Sequence, residues 1–414
     1  MLSSTDSLAA VRAQARAQFP ALASDFAFFE NAGGSQVPTS VIEAIHSFLL
    51  ESYAQTGASY PASLQASAVN AEAHAFVNDL FGGAGRGKVA FAQSASSHFH
   101  TLAQSIRPTL RPGDEIVIAV ANHESNVGPF VRLQEFGVKI RWWEVHPETG
   151  VYGPDGLVPL LSDRTRLICY PRTSNLLGDV QDCAAVSRLA RGVGAWTVVD
   201  AVASAAHEPL SVVEWDVDFC AFSHYKVYGP HVGAMWIRNE CLEKIDGPNH
   251  FFNLPGEWAN RFELGCLPYE LLAGILGLRE YLRTLAPEAS SDRERVAQSF
   301  KSMHALEQPL TEHMLAWLKL RDDLRIIGPT SPSERHPTIS FVHNRLSSET
   351  IATALCDRGF GVKYGHMYAY RLCEALGLDL VQGVVRISAV HTNTPDEVER
   401  LLKALGSILE GAVQ

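Results

Sequence analysis

The sequence predicts an α/β protein with a large domain around a mostly parallel sheet and a smaller α/β domain at the carboxyl end. Two observations support this fold class. Through the middle of the chain, short runs of nearly continuous apolar residues alternate with segments of helical spacing. Strands of a parallel sheet are buried on both faces and are joined by helices, so they produce this alternation. After about residue 268 the pattern changes to two long helical stretches followed by four short strands.

The elements of each domain follow from these patterns. Six strands are predicted for the large domain, at 88–92 (KVAFA), 115–120 (EIVIAV), 139–145 (KIRWWEV), 166–170 (RLICY), 196–201 (WTVVDA) and 218–223 (DFCAFS). The helices predicted between them are at 96–108, 124–136 and 181–191. The small domain has predicted helices at about 268–284 and 290–320, and strands at 324–328, 338–343, 359–365 and 384–390. Its final helix begins at the start signal Thr394-Pro395-Asp396-Glu397.

We place the large domain over residues 20–285 and the small domain over 286–414. The first nineteen residues have a weak amphipathic period and no apolar block of the kind found in secretory signals. A helix capped near Ser4 or Thr5 is therefore favoured over a transit peptide. We expect this helix to pack on the small domain.

Composition and charge exclude several classes of protein. The 414 residues are 46% apolar and 19% charged, which is enough for a sizeable core. The net charge of −11 disfavours nucleic acid or an anionic membrane as partner, and no apolar run is long enough to span a bilayer. The seven cysteines are scattered and form no CxxC pair, which is typical of a reducing compartment without structural zinc. We therefore expect a soluble cytoplasmic protein without a metal ion.

Two charged residues follow neighbouring predicted strands. Asp200 ends the strand WTVVD, and Lys226 comes just after the strand DFCAFS. Ligands of parallel sheets bind beyond the carboxyl ends of the strands, so both side chains are candidates for a site. A lysine with a lowered pKa forms a Schiff base with an aldehyde cofactor, and a carboxylate keeps a pyridine nitrogen protonated. A simple salt bridge explains the pair equally well.

Three further polar segments follow predicted strands. The stretch QSASSHFHTLA places Ala95 and Ser96 at the start of a helix, where backbone N–H groups and hydroxyls bind phosphate. His123, in ANHESN, is placed to lay its ring against a flat cofactor, and Asn175 follows the strand RLICY. Each residue alone is an ordinary cap or loop residue, but together they are consistent with one site.

These motifs, in this order, resemble the class V aminotransferase and cysteine desulfurase family, whose members are pyridoxal-phosphate enzymes of fold type I. The resemblance covers roughly residues 20–410 and rests on these segments: FFENAGGSQVP, ANHESN, SNLLG, VVDAVASAAH, SHYKVYGPHVG, RFELGCLP and VVRIS. It implies a large domain around a mostly parallel sheet of the seven-stranded type and a smaller carboxyl-terminal domain. It also implies a homodimer in which both subunits contribute to each active site.

The resemblance implies a role for each matching residue. Lys226 corresponds to the lysine that links the cofactor and carries protons, Asp200 to the partner of the pyridine nitrogen, and His123 to the residue stacked on the ring. The other cofactor contacts implied are Ala95, Ser96, Ser223, Tyr225, His207 and Cys266. The substrate contacts implied are Arg386 and Asn175, which hold the α-carboxylate, together with Gly33, His366 and Tyr368.

The chain also departs from the family pattern. A family glutamine near the cofactor's phenolic oxygen is Ala203, a family threonine that contacts the partner subunit's phosphate is Cys266, and the residue before the lysine is Tyr225. In VKYGHMYA, Tyr368 stands where similar desulfurases have the cysteine that holds a persulfide. Cys373 is close in sequence, but its helix predicts a core position rather than a sulfur acceptor.

The resemblance therefore implies a pyridoxal-phosphate enzyme that acts on a small α-amino acid. Because no persulfide cysteine is present at the family position, we expect a β-elimination or C–S lyase without a protein persulfide. A class V aminotransferase is the first alternative, and a decarboxylating or carbon–carbon bond-forming lyase is the second. A relative that binds the cofactor without turnover is disfavoured, because Lys226, Asp200 and Arg386 are all present.

Overall fold

The structure is a computed structural model that describes residues 4–252 and 261–411. Its strands are β1 (Ala27–Phe28), β2 (Gly87–Ala92), β3 (Glu115–Ala119), β4 (Lys139–Trp143), β5 (Thr165–Pro171), β6 (Trp196–Asp200), β7 (Phe219–Ser223), β8 (Gly233–Arg238), β9 (Leu324–Ile327), β10 (Thr338–His343), β11 (Phe360–Gly361), β12 (Lys363–Gly365) and β13 (Val384–Ser388). Its helices are α1 (Ser4–Arg16), α2 (Thr39–Glu51), α3 (Pro61–Phe81), α4 (Ala95–Ile106), α5 (Gly128–Val131), α6 (Cys183–Val193), α7 (Asn239–Leu242), α8 (Tyr269–Leu285), α9 (Asp292–Lys319), α10 (Ser348–Cys356), α11 (Tyr370–Ala375) and α12 (Pro395–Gly411).

The largest sheet has seven strands in the order β2-β8-β7-β6-β5-β3-β4. The five strands from β7 to β4 are parallel, whereas β8 runs antiparallel to both of its neighbours. This confirms the predicted mostly parallel α/β fold. All six predicted strands are present, and the structure adds β8, for which no strand was predicted.

The sheet is buried on both faces, as the continuous apolar runs predict. Along β3, Val117 packs into the hydrophobic core on one face, while Ile116 and Ile118 pack into the core on the other. The same alternation occurs in β6, where Val199 and Val198 enter the two cores. Ligands of such a sheet bind beyond the carboxyl ends of its strands.

A second, antiparallel sheet has the order β12-β13-β10-β9, and β1 forms a separate parallel pair with β11. The prediction of one strand over 359–365 is therefore wrong in one respect. The chain pairs with β1 through Phe360–Gly361 and then, after Val362, pairs with β13 through Lys363–Gly365. This switch places Lys363 directly opposite Arg386.

Of two predicted helices, one is interrupted in the structure and the other begins where the sequence predicts. The helix predicted over 124–136 is divided into a 3-10 turn, the short α5 and a second 3-10 segment. Pro129 contributes to this division because it lacks a backbone N–H. The last helix begins as predicted, with a reciprocal pair in which Glu397 N donates to Thr394 Oγ1 and Thr394 N donates to Glu397 Oε2.

Helix α9 packs against the large sheet and also against the antiparallel sheet. Val296 and Phe300 pack into the core of the seven-stranded sheet, whereas Leu310 and Met314 pack into the core of the antiparallel sheet. The boundary at residue 286 stays a prediction. Among the described residues, no helix is both long enough and apolar enough to cross a membrane.

The amino-terminal helix α1 is held by the buried side chain of Arg12. Its guanidinium donates hydrogen bonds to the carbonyl oxygens of Leu306 (2.8 Å), His391 (3.1 Å) and Asn393. Arg12 thus joins α1 to α9 and to the segment before α12, and the charges of Glu307 and Glu397 compensate its own.

We predict that Arg12→Met lowers the free energy of unfolding by about 2–4 kcal/mol, because three carbonyls and nearby carboxylates lose a buried cationic donor. Urea unfolding followed by circular dichroism measures this change. Arg86→Met is the matched control, because Arg86 is 58% exposed and its nearest carboxylate is 3.8 Å away. Equal effects of the two substitutions would contradict the structural role of Arg12.

Candidate active site

The carboxyl edge of the seven-stranded sheet brings Asp200 and Lys226 together. Strands β6 and β7 are parallel neighbours, and Asp200, the last residue of β6, is opposite Ala221. The chain leaves β7 through a single 3-10 turn over His224–Lys226, which places the lysine just beyond the sheet. The predicted convergence of an amine and a carboxylate at this edge is present.

Two adjoining chambers open at this edge. The residues of the inner chamber are Ala95, Ser96, His123, Ser125, Pro171, Thr173, Asn175, Asp200, Val202, Ala203, Ser223, Tyr225 and Lys226. The outer chamber, with a volume of about 640 Å³, is lined by Ala32, Gly33, Val362, Lys363, Tyr364, Gly365, His366, Met367, Tyr368, Val381 and Arg386. It also shares His123, Asn175, Tyr225 and Lys226 with the inner chamber.

Lys226 is the amine at the junction of the two chambers. Burial lowers the pKa of its ammonium group to about 8, and the positive charge of Arg386 acts in the same direction. The negative charges of Asp200 and Glu30 oppose this shift. A substantial fraction of Lys226 is therefore neutral slightly above neutral pH, which is the form that attacks a carbonyl carbon.

Asp200 is a buried carboxylate at the floor of the inner chamber. Burial raises its pKa to about 6, although Oδ1 accepts a hydrogen bond of 2.9 Å from the backbone N–H of Val202. A carboxylate with a raised pKa is stabilised when a cation binds beside it. A protonated ring nitrogen supplies such a charge.

His123 presents a neutral ring to the inner chamber. Burial, together with the positive charges of Lys226 and Arg386, lowers its pKa to about 3. Its Nδ1 accepts a hydrogen bond of 3.2 Å from the backbone N–H of Ser125, so Nε2 carries the proton. A neutral, fixed imidazole is suited to stacking on a flat cofactor.

The start of helix α4 forms the polar end of the inner chamber. Ser94 caps the helix, and the backbone N–H of Ala95 donates to Ser223 Oγ at 3.0 Å. Thr173 Oγ1 and Asn175 Oδ1 are buried, and neither has a hydrogen-bond partner within the described residues. A helix amino terminus, hydroxyls and unpartnered polar atoms fit a phosphate-bearing ligand with a polar ring. These residues fit pyridoxal phosphate.

Arg386 is the cation of the outer chamber and is only 2% exposed. Its Nη1 donates to the carbonyl oxygen of Asn175 at 3.2 Å, and its Nη2 lies 2.6 Å from Glu30 Oε1. Within the described residues its Nε has no partner. A guanidinium with free donor capacity at a cavity wall is suited to binding a carboxylate.

The loop that carries His366 and Tyr368 lies next to the ring of His123. Met367 and Tyr368 both have left-handed backbone conformations, with φ of 44° and 62°, which cost energy for residues other than glycine. Asn175 Nδ2 donates to the carbonyl oxygen of Met367 at 2.8 Å, and the backbone N–H of Glu124 donates to the backbone carbonyl oxygen of Tyr368 at 2.8 Å. These bonds hold the Tyr368 ring 5.2 Å from that of His123.

Most predicted site residues are therefore brought together, but His207 is not. His207 lies outside both chambers, and its Nδ1 is 3.0 Å from buried Glu307 while its ring stacks on His336 at 5.1 Å. The tight turns after Asp200 carry His207 away from the sheet edge towards α9. Its predicted place among the cofactor contacts is wrong for this chain.

Cys266 also lies outside both chambers. It is exposed, and its Sγ donates to Gln55 Oε1 at 2.9 Å. Its implied contact is with a neighbouring subunit, so this assignment stays a prediction. Tyr225 lines both chambers and stacks on His231 with ring centroids 4.9 Å apart.

The structure adds site residues that sequence reasoning missed. Thr173 and Ser125 face the inner chamber, and Glu30 pairs with Arg386. Thr173 follows strand β5 and Ser125 follows strand β3. The rule that ligands bind beyond the carboxyl ends of parallel strands, which located Asp200, was therefore sufficient to indicate them. No local pattern linked Glu30 to Arg386, because 356 positions separate them.

Comparisons with known proteins agree with this geometry. The sequence matches the family described as Aminotransferase class-V over residues 27–401. It is 33% identical to the aminotransferase-like protein FGM3 of Gibberella zeae, covering 95% of this chain and 97% of that protein. It is 28% identical to the cysteine desulfurase-like protein ustD of Aspergillus flavus, covering 95% and 90% of the two chains. The apo cysteine desulfurase of Thermococcus onnurineus superposes with a TM-score of 0.86, at 24% identity over 96% and 98% of the chains.

The chain therefore belongs to the class V aminotransferase family and is a pyridoxal-phosphate-dependent enzyme of fold type I. The structural similarity confirms the fold, and the family confirms the cofactor.

We predict that burial of Lys226 makes cofactor-free protein less stable at neutral pH. The folded pKa of about 8 lies below the ordinary value of 10.5, so the unfolded chain binds more protons between these values and stability rises across this window. Lys226→Met removes the penalty and raises the free energy of unfolding below pH 8 by roughly 1–3 kcal/mol. This gain disappears towards pH 10.5.

Chemical unfolding of cofactor-free protein at several pH values measures the difference. Lys319→Met controls for the loss of a lysine, because Lys319 is exposed at the end of α9. A stability gain that does not depend on pH between 7 and 10.5 would rule out the burial of the amine as its cause.

Proposed function

We propose that this enzyme is a C–S lyase that performs β-elimination on a small sulfur-containing α-amino acid and releases the sulfur without forming a persulfide on the protein. One observation carries the proposal. No cysteine is among the described residues that line either chamber, although both chambers carry the groups needed to bind an amino acid beside the cofactor. The absence of a thiol among these lining residues supports release of the sulfur as sulfide.

The family resemblance aligns Tyr368 with the persulfide cysteine of similar desulfurases, and a phenol cannot accept sulfur. Cys373 is the nearest cysteine along the chain, and it is fully buried in the core formed with Leu372, Leu376 and Val384. Burial raises the pKa of its thiol to about 12. A buried, protonated thiol is a poor nucleophile, so Cys373 does not replace the missing cysteine.

The chain's own groups divide the remaining work. Arg386 and the second amide hydrogen of Asn175 hold the α-carboxylate of the substrate. The cofactor, when bound, withdraws electrons from the substrate Cα, and Asp200 keeps its ring nitrogen protonated. Lys226, in its neutral form, takes the proton from Cα and returns a proton to the leaving sulfur.

The overall reaction balances without an oxidant. For cysteine, the Cα–H and Cβ–S bonds break, and addition of one water yields pyruvate, ammonia and hydrogen sulfide. Transamination also removes the Cα proton, but it leaves the Cβ–S bond intact and passes the amino group to a keto acid. Decarboxylation instead breaks the bond between Cα and the carboxylate, so product analysis separates both reactions from elimination.

We predict that the holoenzyme converts a sulfur amino acid from a panel that includes L-cysteine into equal amounts of sulfide, pyruvate and ammonia. Lys226→Ala reduces the rate by at least a hundredfold, since it removes the proton carrier. Cys373→Ala leaves sulfide formation within about twofold, because its thiol takes no part. Colorimetric sulfide and ammonia assays and a lactate dehydrogenase assay for pyruvate measure these products.

Other outcomes identify other enzymes. A persulfide on the protein that disappears in Cys373→Ala would contradict the proposal. Product formation that requires a second keto acid would indicate an aminotransferase, and release of carbon dioxide would indicate a decarboxylating lyase. Cofactor binding without turnover of any amino acid would indicate a non-catalytic relative.

We also propose that the enzyme is a homodimer through the face formed by α2 and the start of α3. Several large apolar side chains are exposed there, namely Ile42, Leu49, Leu50, Tyr53, Tyr60 and Leu64. An exposed apolar patch of this kind is typical of an interface. Cys266 lies on the same face through its hydrogen bond to Gln55, in the connection between these helices. A second copy would thus cover the residue implied to contact the neighbouring cofactor.

We predict that Leu50→Glu shifts the protein from dimer to monomer at micromolar concentration, because it places a charge within the apolar interface. Analytical ultracentrifugation measures the association state. Leu320→Glu is the matched control, because Leu320 is also highly exposed but lies after α9, away from this face. A monomeric wild-type protein, or a dimer unaffected by Leu50→Glu, would contradict the proposed interface.

A further inference from the structure

The arginine assigned to the substrate carboxylate already has a carboxylate partner within the chain. Glu30 Oε1 lies 2.6 Å from Arg386 Nη2. Glu30 follows β1, whereas Arg386 lies in β13, so the contact joins two distant parts of the chain. The Arg386 side chain is 2% exposed and that of Glu30 is 29% exposed, and the acid lies beside Gly33 and Arg386, which both line the outer chamber.

The ion pair between Glu30 and Arg386 does not use every hydrogen-bond donor of the guanidinium. Glu30 contacts one arm through one oxygen, Asn175 accepts from the other arm, and the buried Nε has no partner within the described residues. A carboxylate that binds two donors of a guanidinium makes a stronger contact than one that binds a single donor. An incoming α-carboxylate is therefore able to replace Glu30.

Gly33 allows Glu30 to take this position. A Cβ atom at Gly33 would lie 2.0 Å from Glu30 Oε1, closer than two atoms can approach. The turn itself does not use the side chain, because the backbone carbonyl of Glu30 accepts the N–H groups of Gly33 (2.9 Å) and Gly34 (3.3 Å). The carboxylate can thus be altered without removing the bonds that form the turn.

Electrostatics explain why an internal carboxylate is useful. Burial lowers the pKa of Arg386, and Glu30 opposes this shift. Without Glu30, the resting site would contain a buried guanidinium with no counter-charge, which is costly. Replacement of Glu30 by a substrate carboxylate exchanges one negative charge for another, so the local charge is maintained.

We propose that Glu30 is a resting occupant of the carboxylate site, which the α-carboxylate of the substrate must displace, and that it thereby limits how tightly ligands with a free α-carboxylate bind. This inference rests on the assignment of Arg386 in the proposed function. Neutral amides and amines cannot displace Glu30, because they bring no compensating charge. Glu30 thus weakens the binding of α-amino acids, and the binding of neutral analogues does not depend on it.

The test compares binding of L-alanine with binding of L-alaninamide, which lacks the carboxylate. Neither probe has a leaving group at Cβ, so changes in absorbance of the bound cofactor report binding without elimination. The variants are Glu30→Gln, which removes the charge, and Gly33→Ala, which keeps the carboxylate but forces it from Arg386. Arg386→Lys tests the assignment of the arginine itself.

We expect Glu30→Gln to bind L-alanine about tenfold more tightly, with affinity for L-alaninamide unchanged within twofold. Gly33→Ala should also raise the preference for L-alanine over L-alaninamide. Equal changes for both ligands, or an unchanged preference in both variants, would overturn the role of Glu30.

Arg386→Lys separates this failure from failure of the proposed function. We expect it to weaken L-alanine binding at least tenfold and to leave L-alaninamide nearly unaffected. If Arg386→Lys lowers the preference for L-alanine but the Glu30 and Gly33 variants do not raise it, only the inference about Glu30 is wrong. If Arg386→Lys leaves the preference unchanged, the carboxylate assignment of the proposed function is wrong as well.

Discussion

The active site depends on burial of opposite charges at the carboxyl edge of one sheet. The parallel strands β6 and β7 end side by side, so Asp200 and Lys226 meet where neither is fully hydrated. Burial raises the pKa of the acid to about 6 and lowers that of the amine to about 8, which favours the neutral form of each group. A cofactor with a cationic ring and a reactive aldehyde satisfies both groups. The free protein therefore carries an energetic cost that ligand binding relieves.

The second sheet completes the site by providing the cations of the outer chamber. Arg386 and Lys363 are opposite one another on β13 and β12, and the chain then continues into the loop of Met367 and Tyr368. Hydrogen bonds from Asn175 and Glu124 fix this loop to the end of the large sheet. Arg386 and this loop are thus linked through one residue, because the backbone carbonyl of Asn175 accepts from Arg386 and its side-chain amide donates to Met367.

Sequence reasoning predicted the part of the site that depends on local order. Asp200, Lys226 and His123 each follow a buried strand, and the sheet rule places such residues at one edge. Arg386 and Gly33 were identified through the family resemblance, since neither is distinctive by type or spacing. The pairing of Glu30 with Arg386 depends on how β1 lies beside the segment of Ser388, which only the tertiary structure shows. His207 was misplaced because turns after a matching segment need not follow the family path.

The burial of cysteines in this protein affects how chemical labelling is to be interpreted. Five cysteines are buried, and those that remain accessible are Cys266 and Cys356. Cys356 ends α10 in the part of the chain next to the small sheet, whereas Cys266 lies on the exposed face beside Gln55. An alkylating reagent that inactivates a desulfurase with a persulfide cysteine reports on catalysis. In this enzyme the same reagent would first reach Cys266 and Cys356, neither of which lines either chamber, so inactivation by it would not identify a catalytic thiol.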